Sequence, residues 1–240
     1  MSEFVEYNCD TNPYPSFGKK YNGEKAIISM TSWKMRIATC SKTLFSLLKQ
    51  CPGFHIVLVL SEEEFPKMMD ELPENLKLFV DNELIELMFV YKNYKSFKKV
   101  LFTMDKYRDV PVISADDDCI YTCNYAQELY NKWKETGTNI VDYCIPDFRY
   151  AYTLTQGPCW LYENKNSLVN DELLKTVNNF INYKNQDDIY LSDVFNKFKF
   201  KVSYVSNIPY VFPYKFHTTV AAINPHQYKG KAGKIALGQI

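Results

Sequence analysis

The sequence predicts an α/β fold of three layers: a mostly parallel central sheet with helices on both faces. Three observations lead there. Strand-like and helix-like segments alternate over the first 145 of the 240 residues, the signature of a sheet built from crossover units. Segment 54–60 (Phe-His-Ile-Val-Leu-Val-Leu) is a nearly unbroken apolar run, as expected for a strand buried on both faces. Polar and acidic groups stand directly after apolar runs, at Thr31-Ser32, Ser61 and Asp116-Asp117-Asp118. In a parallel sheet these are the carboxyl ends of the strands, where ligands bind.

Each element can be justified in order. Residues 1–24 have no period and contain Pro13, Pro15 and Gly18, which predicts an irregular lead-in. Residues 25–30 form an apolar strand candidate that ends in Thr31-Ser32-Trp33. Ile37, Cys40, Leu44, Leu47 and Leu48 then recur at helical spacing, with Lys42, Ser46 and Lys49 opposite, until Pro52-Gly53 breaks the pattern. After the strand at 54–60, Ser61 reads as the cap of a helix whose acidic start, 62–64, suits the helix dipole. Residues 84–91 predict a strand and 96–107 a helix with Phe97, Val100, Leu101 and Met104 inward. Residues 110–115 predict a strand that runs into the three aspartates. A helix at 124–136 stops at Gly137, and a strand at 140–145 stops at Pro146. Beyond it come a short strand at 159–162, helices at 167–181 and 188–198, and strands at 201–205 and 208–212. The remainder, from His217, is rich in Gly and Lys. With no repeat and no clear linker, one domain is expected over 1–240, with parts at about 25–145 and about 146–216 and a basic tail at 217–240.

Composition narrows the function classes. An apolar fraction of 46% with 23% charged residues excludes wholesale disorder. The 19 Tyr, 16 Phe and 3 Trp reflect either a Tyr/Lys/Asn-rich compositional bias or a surface that stacks on sugar rings or bases. The net charge of zero hides an asymmetry. Up to Asp193 there are 21 basic and 28 acidic residues, whereas 194–240 carries seven Lys and no acid. A basic tail beside an acidic body points to an anionic ligand or membrane surface, or to an ordinary solvated face. Seven scattered Cys without a Cys-x-x-Cys predict free thiols in a reducing compartment. Residues 1–10 lack the basic and apolar regions of a secretory signal, and the longest aliphatic run, 56–60, is far too short to span a bilayer. The expected location is cytoplasmic, with any membrane contact peripheral and through the tail. No phosphate-binding, dinucleotide-binding or serine-hydrolase glycine motif occurs, and no arginine-rich stripe supports nucleic-acid binding.

Three adjacent carboxylates at a strand end repel one another and need a compensating charge. A divalent cation with a preference for oxygen, Mn²⁺ or Mg²⁺, supplies it. On extended backbone Asp116 and Asp118 share a side, so the pair holds one metal that in turn bridges a diphosphate. The plainer alternative is a solvated acidic turn.

Ser114-Ala115-Asp116-Asp117-Asp118 resembles the Asp-x-Asp motif of GT-A glycosyltransferases. The likeness extends along the chain. Ile28-Ser29-Met30-Thr31-Ser32-Trp33 with Arg36-Ile37 is similar to the start of a bacterial group of small polysaccharide- and lipopolysaccharide-type glycosyltransferases. Ser61-Glu62-Glu63-Glu64-Phe65-Pro66, Lys95-Ser96-Phe97-Lys98-Lys99 and Asp187-Asp188-Ile189-Tyr190 continue it in order, over about residues 26–193. Gln156-Gly157-Pro158-Cys159-Trp160 departs from the more Gly-rich stretch of that group.

The resemblance implies a GT-A-like fold with a smaller C-terminal acceptor-side region. It implies a nucleotide-binding half at about 25–145, an acceptor half at about 146–216, and a metal-dependent transferase that moves a sugar from a nucleotide-sugar donor to a glycan or glycolipid acceptor, with inversion the stereochemistry that a base would impose. Thr31, Ser32 and Arg36 would surround the donor nucleotide, with Lys95 or Lys99 against its phosphates. Asp116 and Asp117 would contact the donor, and Asp118, Asp116 and a late His, His217, would hold the metal. Asp188 or Asp187 would act as general base on the acceptor hydroxyl; plain helix capping is the alternative for this pair. Trp160 or Tyr162 would stack on an acceptor sugar or fill the core. Two other functions share parts of this pattern. A sugar nucleotidyltransferase normally has a Gly-rich phosphate loop, which 31–36 lacks. A glycan-binding module would need neither acidic motif.

Overall fold

The computed structural model describes residues 14–50, 53–143, 160–177, 187–205 and 210–211. An eight-stranded mixed sheet forms the middle layer. Its four-stranded heart is parallel: β2 (Ala26–Thr31) lies between β3 (Phe54–Ser61) and β5 (Val112–Ala115), and β4 (Glu86–Val90) pairs with β3. All four strands are buried along their whole length, which is why their sequences read as continuous apolar runs. Beyond β5 the sheet continues antiparallel through β8 (Trp160–Tyr162) to β7 (Ile140–Asp142), and β9 (Val202–Tyr204) pairs parallel to β7. A small second ladder joins β6 (Ile120–Tyr121) to β10 (Tyr210–Val211).

The period of two along each strand divides the core into two halves. Ile28, Met30, Ile56, Leu58, Leu87 and Ile113 face one layer, packed by α1 (Cys40–Leu48), α2 (Glu74–Asp81) and α4 (Tyr125–Thr136). Ile27, Val57, Val59, Met88 and Val112 face the other, packed by α3 (Lys98–Lys106), α5 (Ser167–Thr176) and α6 (Asp187–Lys197). The architecture is therefore the three-layer α/β/α sandwich expected from the sequence.

Two local readings need correction. The stretch 1–24 is not irregular throughout: Ser16–Gly18 is β1, an antiparallel edge strand on β4. Gly18 has φ +80°, and a Cβ there would lie 2.5 Å from the Ile85 carbonyl oxygen, so only glycine closes this contact. Ser61 caps no helix. It ends β3, and 62–64 is a turn in which the Phe65 amide bonds the Ser61 carbonyl. The helix of this crossover starts later, after Pro73, as α2. Of the two roles open to Trp160 and Tyr162 the core is the one observed, since both are fully buried. Gly137, by contrast, ends α4 in the left-handed conformation, as its position predicts.

Candidate functional site

One pocket opens at the carboxyl ends of the parallel strands. It is lined by residues 31–33 and Arg36 after β2, Glu64 after β3, Asn93, Lys95, Ser96 and Lys98 after β4, and Asp116 and Asp117 after β5.

The acidic segment is not extended. The chain leaves β5 and turns at 117–118 before β6. Its backbone is clamped from two helices. Thr43 Oγ1 of α1 donates to the Asp117 carbonyl at 2.9 Å, and the Asp116 amide donates to the Tyr121 hydroxyl at 2.8 Å. The Tyr125 hydroxyl of α4 donates to the Ser114 carbonyl. The turn sends the three carboxylates to different partners. Arg36 grips two of them, with Nη2 2.9 Å from Asp117 Oδ1 and Nη1 2.5 Å from Asp118 Oδ2. Ser32 donates to the other Asp117 oxygen at 2.5 Å. Burial, opposed by Arg36 and reinforced by Asp118, pushes the Asp117 carboxyl up to about 6. Asp116 turns instead to Lys99, whose Nζ lies 2.5 Å from its Oδ1.

Lys99 links this turn to the later acidic pair. Its ammonium also lies 3.6 Å from Asp187 Oδ2. Burial works against its charge, but the carboxylates of Asp116, Asp187 and Asp188 outweigh it and hold the ammonium protonated well above the ordinary lysine range. Asp187 opens α6, and its Oδ1 accepts a 2.8 Å bond from Ser96. Its Oδ2 is buried and has no hydrogen-bond partner. Burial and the Asp187 carboxylate push the Asp188 carboxyl well above the usual range.

The structure thus brings Thr31, Ser32, Arg36, Lys95, Lys99, Asp116, Asp117, Asp118, Asp187 and Asp188 to one end of the sheet. His217 and the tail lie outside the described residues. Lys98 and Lys99 are buried and do not form a solvated helix face, whereas Lys95 is exposed. The sequence reading missed Trp33, Glu64, Asn93 and Ser96, which line the pocket or bond within it. The strand-end rule that singled out Thr31 and Asp116 points to 91–98 as well, once 86–90 is a parallel strand. It also missed Asp142, a buried acid at the end of β7 whose charge reaches Asp188.

No family model matches the sequence, and no curated protein does. Solved structures do. TarS of S. aureus is 13% identical and superposes with a TM-score of 0.51, covering 78% of this chain and 36% of that one. TarS 1–349 in complex with UDP-GlcNAc is 12% identical with a TM-score of 0.50, over 77% of this chain and 57% of that one. The chain shares the fold of these TarS structures. The chain spans at most 57% of the length of these two relatives.

Acidic side chains dominate this end of the sheet. Arg36 pairs directly with Asp117 and Asp118, and Lys99 with Asp116 and Asp187, while Asp188 feels the charge of Lys99 without pairing with it. Burial is the main cause of the upward push on Asp117 and Asp188, and neighbouring carboxylates add to it. Among the described residues no three acidic, His or Cys side chains form a complete ligand cluster.

Proposed function

We propose that this chain is a glycosyltransferase that moves a sugar from a nucleoside-diphosphate donor to a hydroxyl of a glycan or glycolipid. The observation that carries the reading is the joining of two acidic motifs through one buried lysine at the mouth of a strand-end pocket: Asp116–Lys99–Asp187. A binding module has no need of that arrangement. A transferase does, because it must hold a diphosphate and deprotonate an acceptor next to it. UDP is the first nucleotide to test, since TarS, which shares the fold, has been solved with UDP-GlcNAc.

The roles follow from position. Lys95 is the exposed cation of the pocket, and among the described residues it has no ion pair; it meets the donor phosphates. Thr31, Ser32 and Arg36 shape the nucleotide side, and the last two do so by fixing the acidic turn. Asp116, at 38% the most exposed of the four aspartates that pair with Arg36 and Lys99, would hold Mn²⁺ or Mg²⁺ together with Asp118 and His217. That ion, when bound, offsets charge on the leaving diphosphate. Asp188 takes the proton of the acceptor hydroxyl. The acceptor oxygen then bonds the anomeric carbon from the face opposite the diphosphate as the sugar–phosphate bond breaks, and the configuration inverts. The basic segment 217–240 brings the enzyme to an anionic glycan or membrane surface.

The test is thermal unfolding with Mn²⁺ and UDP, GDP, CDP or ADP, on wild type, Asp116→Ala and Asp118→Ala. At a hundredfold excess over Kd, a ligand stabilises by about 2.7 kcal/mol, or roughly 5–10 °C for a domain of this size. We expect UDP to give that shift only with metal and neither variant to show it. The absence of any shift with every nucleotide would sink the donor site.

A further inference from the structure

We infer that Lys98 is a buried latch that ties the two loops of the pocket wall together and holds Lys95 in the conformation that presents it to the donor. The inference concerns the residues that shape the proposed donor pocket, so its ligand arm rests on that reading; its conformational arm does not.

Lys98 is an unusual residue to find here. It lines the pocket and yet is only 1% exposed, one of the largest fully buried side chains of the protein. Lysine is seldom buried unless paired. Its ammonium meets two segments. From its own loop, after β4, Nζ donates to the Lys95 carbonyl at 3.1 Å and to Asn93 Oδ1 at 3.3 Å. From the turn after β3, Glu64 places Oε2 3.6 Å away. A second contact joins the same segments, since the Asn93 amide donates to Glu63 Oε2 at 2.8 Å.

The loop so tied is strained where it matters. Lys95 has φ +52°, a conformation that non-glycine residues adopt only where the surroundings impose it. Here three bonds do so: the Lys95 amide donates to Asn93 Oδ1 at 3.0 Å, and Lys98 holds both that oxygen and the Lys95 carbonyl. Strain of this kind clusters at ligand sites, and Lys95 is the pocket's exposed cation. Burial also holds the Lys98 amine down to about 8, against Glu64 and Asp117, which support its charge. A solvated lysine in a purely surface role would carry no such cost. Lys98 touches the loops and not the reacting atoms, so it is a positioning residue.

The experiment compares wild type, Lys98→Met and Asn93→Ala. Lys98→Met keeps the buried stem and removes the ammonium; Asn93→Ala removes the shared acceptor and leaves the core alone, should the first variant fail to fold. Without any ligand, amide exchange at residues 93–97 should accelerate at least tenfold in both variants, while β2 and β5 stay protected. With UDP-GlcNAc and Mn²⁺, KM should rise about tenfold with kcat within twofold of wild type. Unchanged exchange at 93–97 in a folded variant overturns the latch. Faster exchange with an unchanged KM overturns its part in donor binding. If wild type itself binds no nucleotide sugar, the donor reading fails and the exchange result still decides the latch.

Discussion

Glu86 shows how much a single buried acid contributes far from the pocket. It sits at the start of β4, 3% exposed. It accepts from His55 at 2.7 Å and Lys106 at 2.6 Å, and from the Tyr107 hydroxyl. Burial opposes its charge, but these bonds outweigh burial and hold the carboxyl down at about 2, against an ordinary 4.5. Because the folded value is depressed, this stabilisation is present above about 4.5 and is lost as pH falls toward 2. The loss between pH 6 and pH 3 is on the order of 2 kcal/mol. Denaturant unfolding at the two pH values should show that loss in wild type and a much smaller one in Glu86→Gln; equal losses would show that Glu86 does not set the acid limb. None of this was legible beforehand. His55 and Glu86 are 31 residues apart, and only the β3–β4 register makes them neighbours. The acidic site was legible in part. Adjacent aspartates after an apolar run announce a strand-end site, but Arg36 reaching back to Asp117 and Asp118 depends on how the chain turns.

At the scale of elements, the strands that could be read were those buried on both faces. β3 and β4 are continuous apolar runs because helices cover both sides. β1 could not be read: three residues, Ser-Phe-Gly, hold too little pattern to show a period. The acidic run 62–64 imitates a helix start, yet it makes a turn whose Glu63 and Glu64 serve the neighbouring loop. β8 posed a choice between an acceptor platform and the core, and burial decides for the core. Trp160 and Tyr162 are covered, and Tyr162 stacks on Phe195 of α6 with ring centroids 5.2 Å apart. Trp160→Ala should therefore cost about 3–5 kcal/mol, measured by urea unfolding. A loss below about 1 kcal/mol with impaired acceptor binding would restore the platform role.

At the scale of the whole molecule, the described residues form a sheet whose two faces are covered by helices and whose pocket lies along one end of the strands. No helix of the described residues is long and apolar enough to cross a membrane. One border of the sheet has a further consequence. Beside β1 runs β4, whose sequence Glu-Leu-Met-Phe-Val is apolar beyond its first residue. Bare, such a strand offers a row of unpaired amides and carbonyls to any other chain, the usual start of intermolecular sheet growth. Three residues of β1 cover that border, and their fit depends on Gly18 lying against the Ile85 and Val80 carbonyls. Gly18→Val should dislodge them without touching the pocket. On concentration the variant should scatter light and sediment as heterogeneous assemblies while wild type does not. A glycine remote from the chemistry would then set how much of this protein stays in solution.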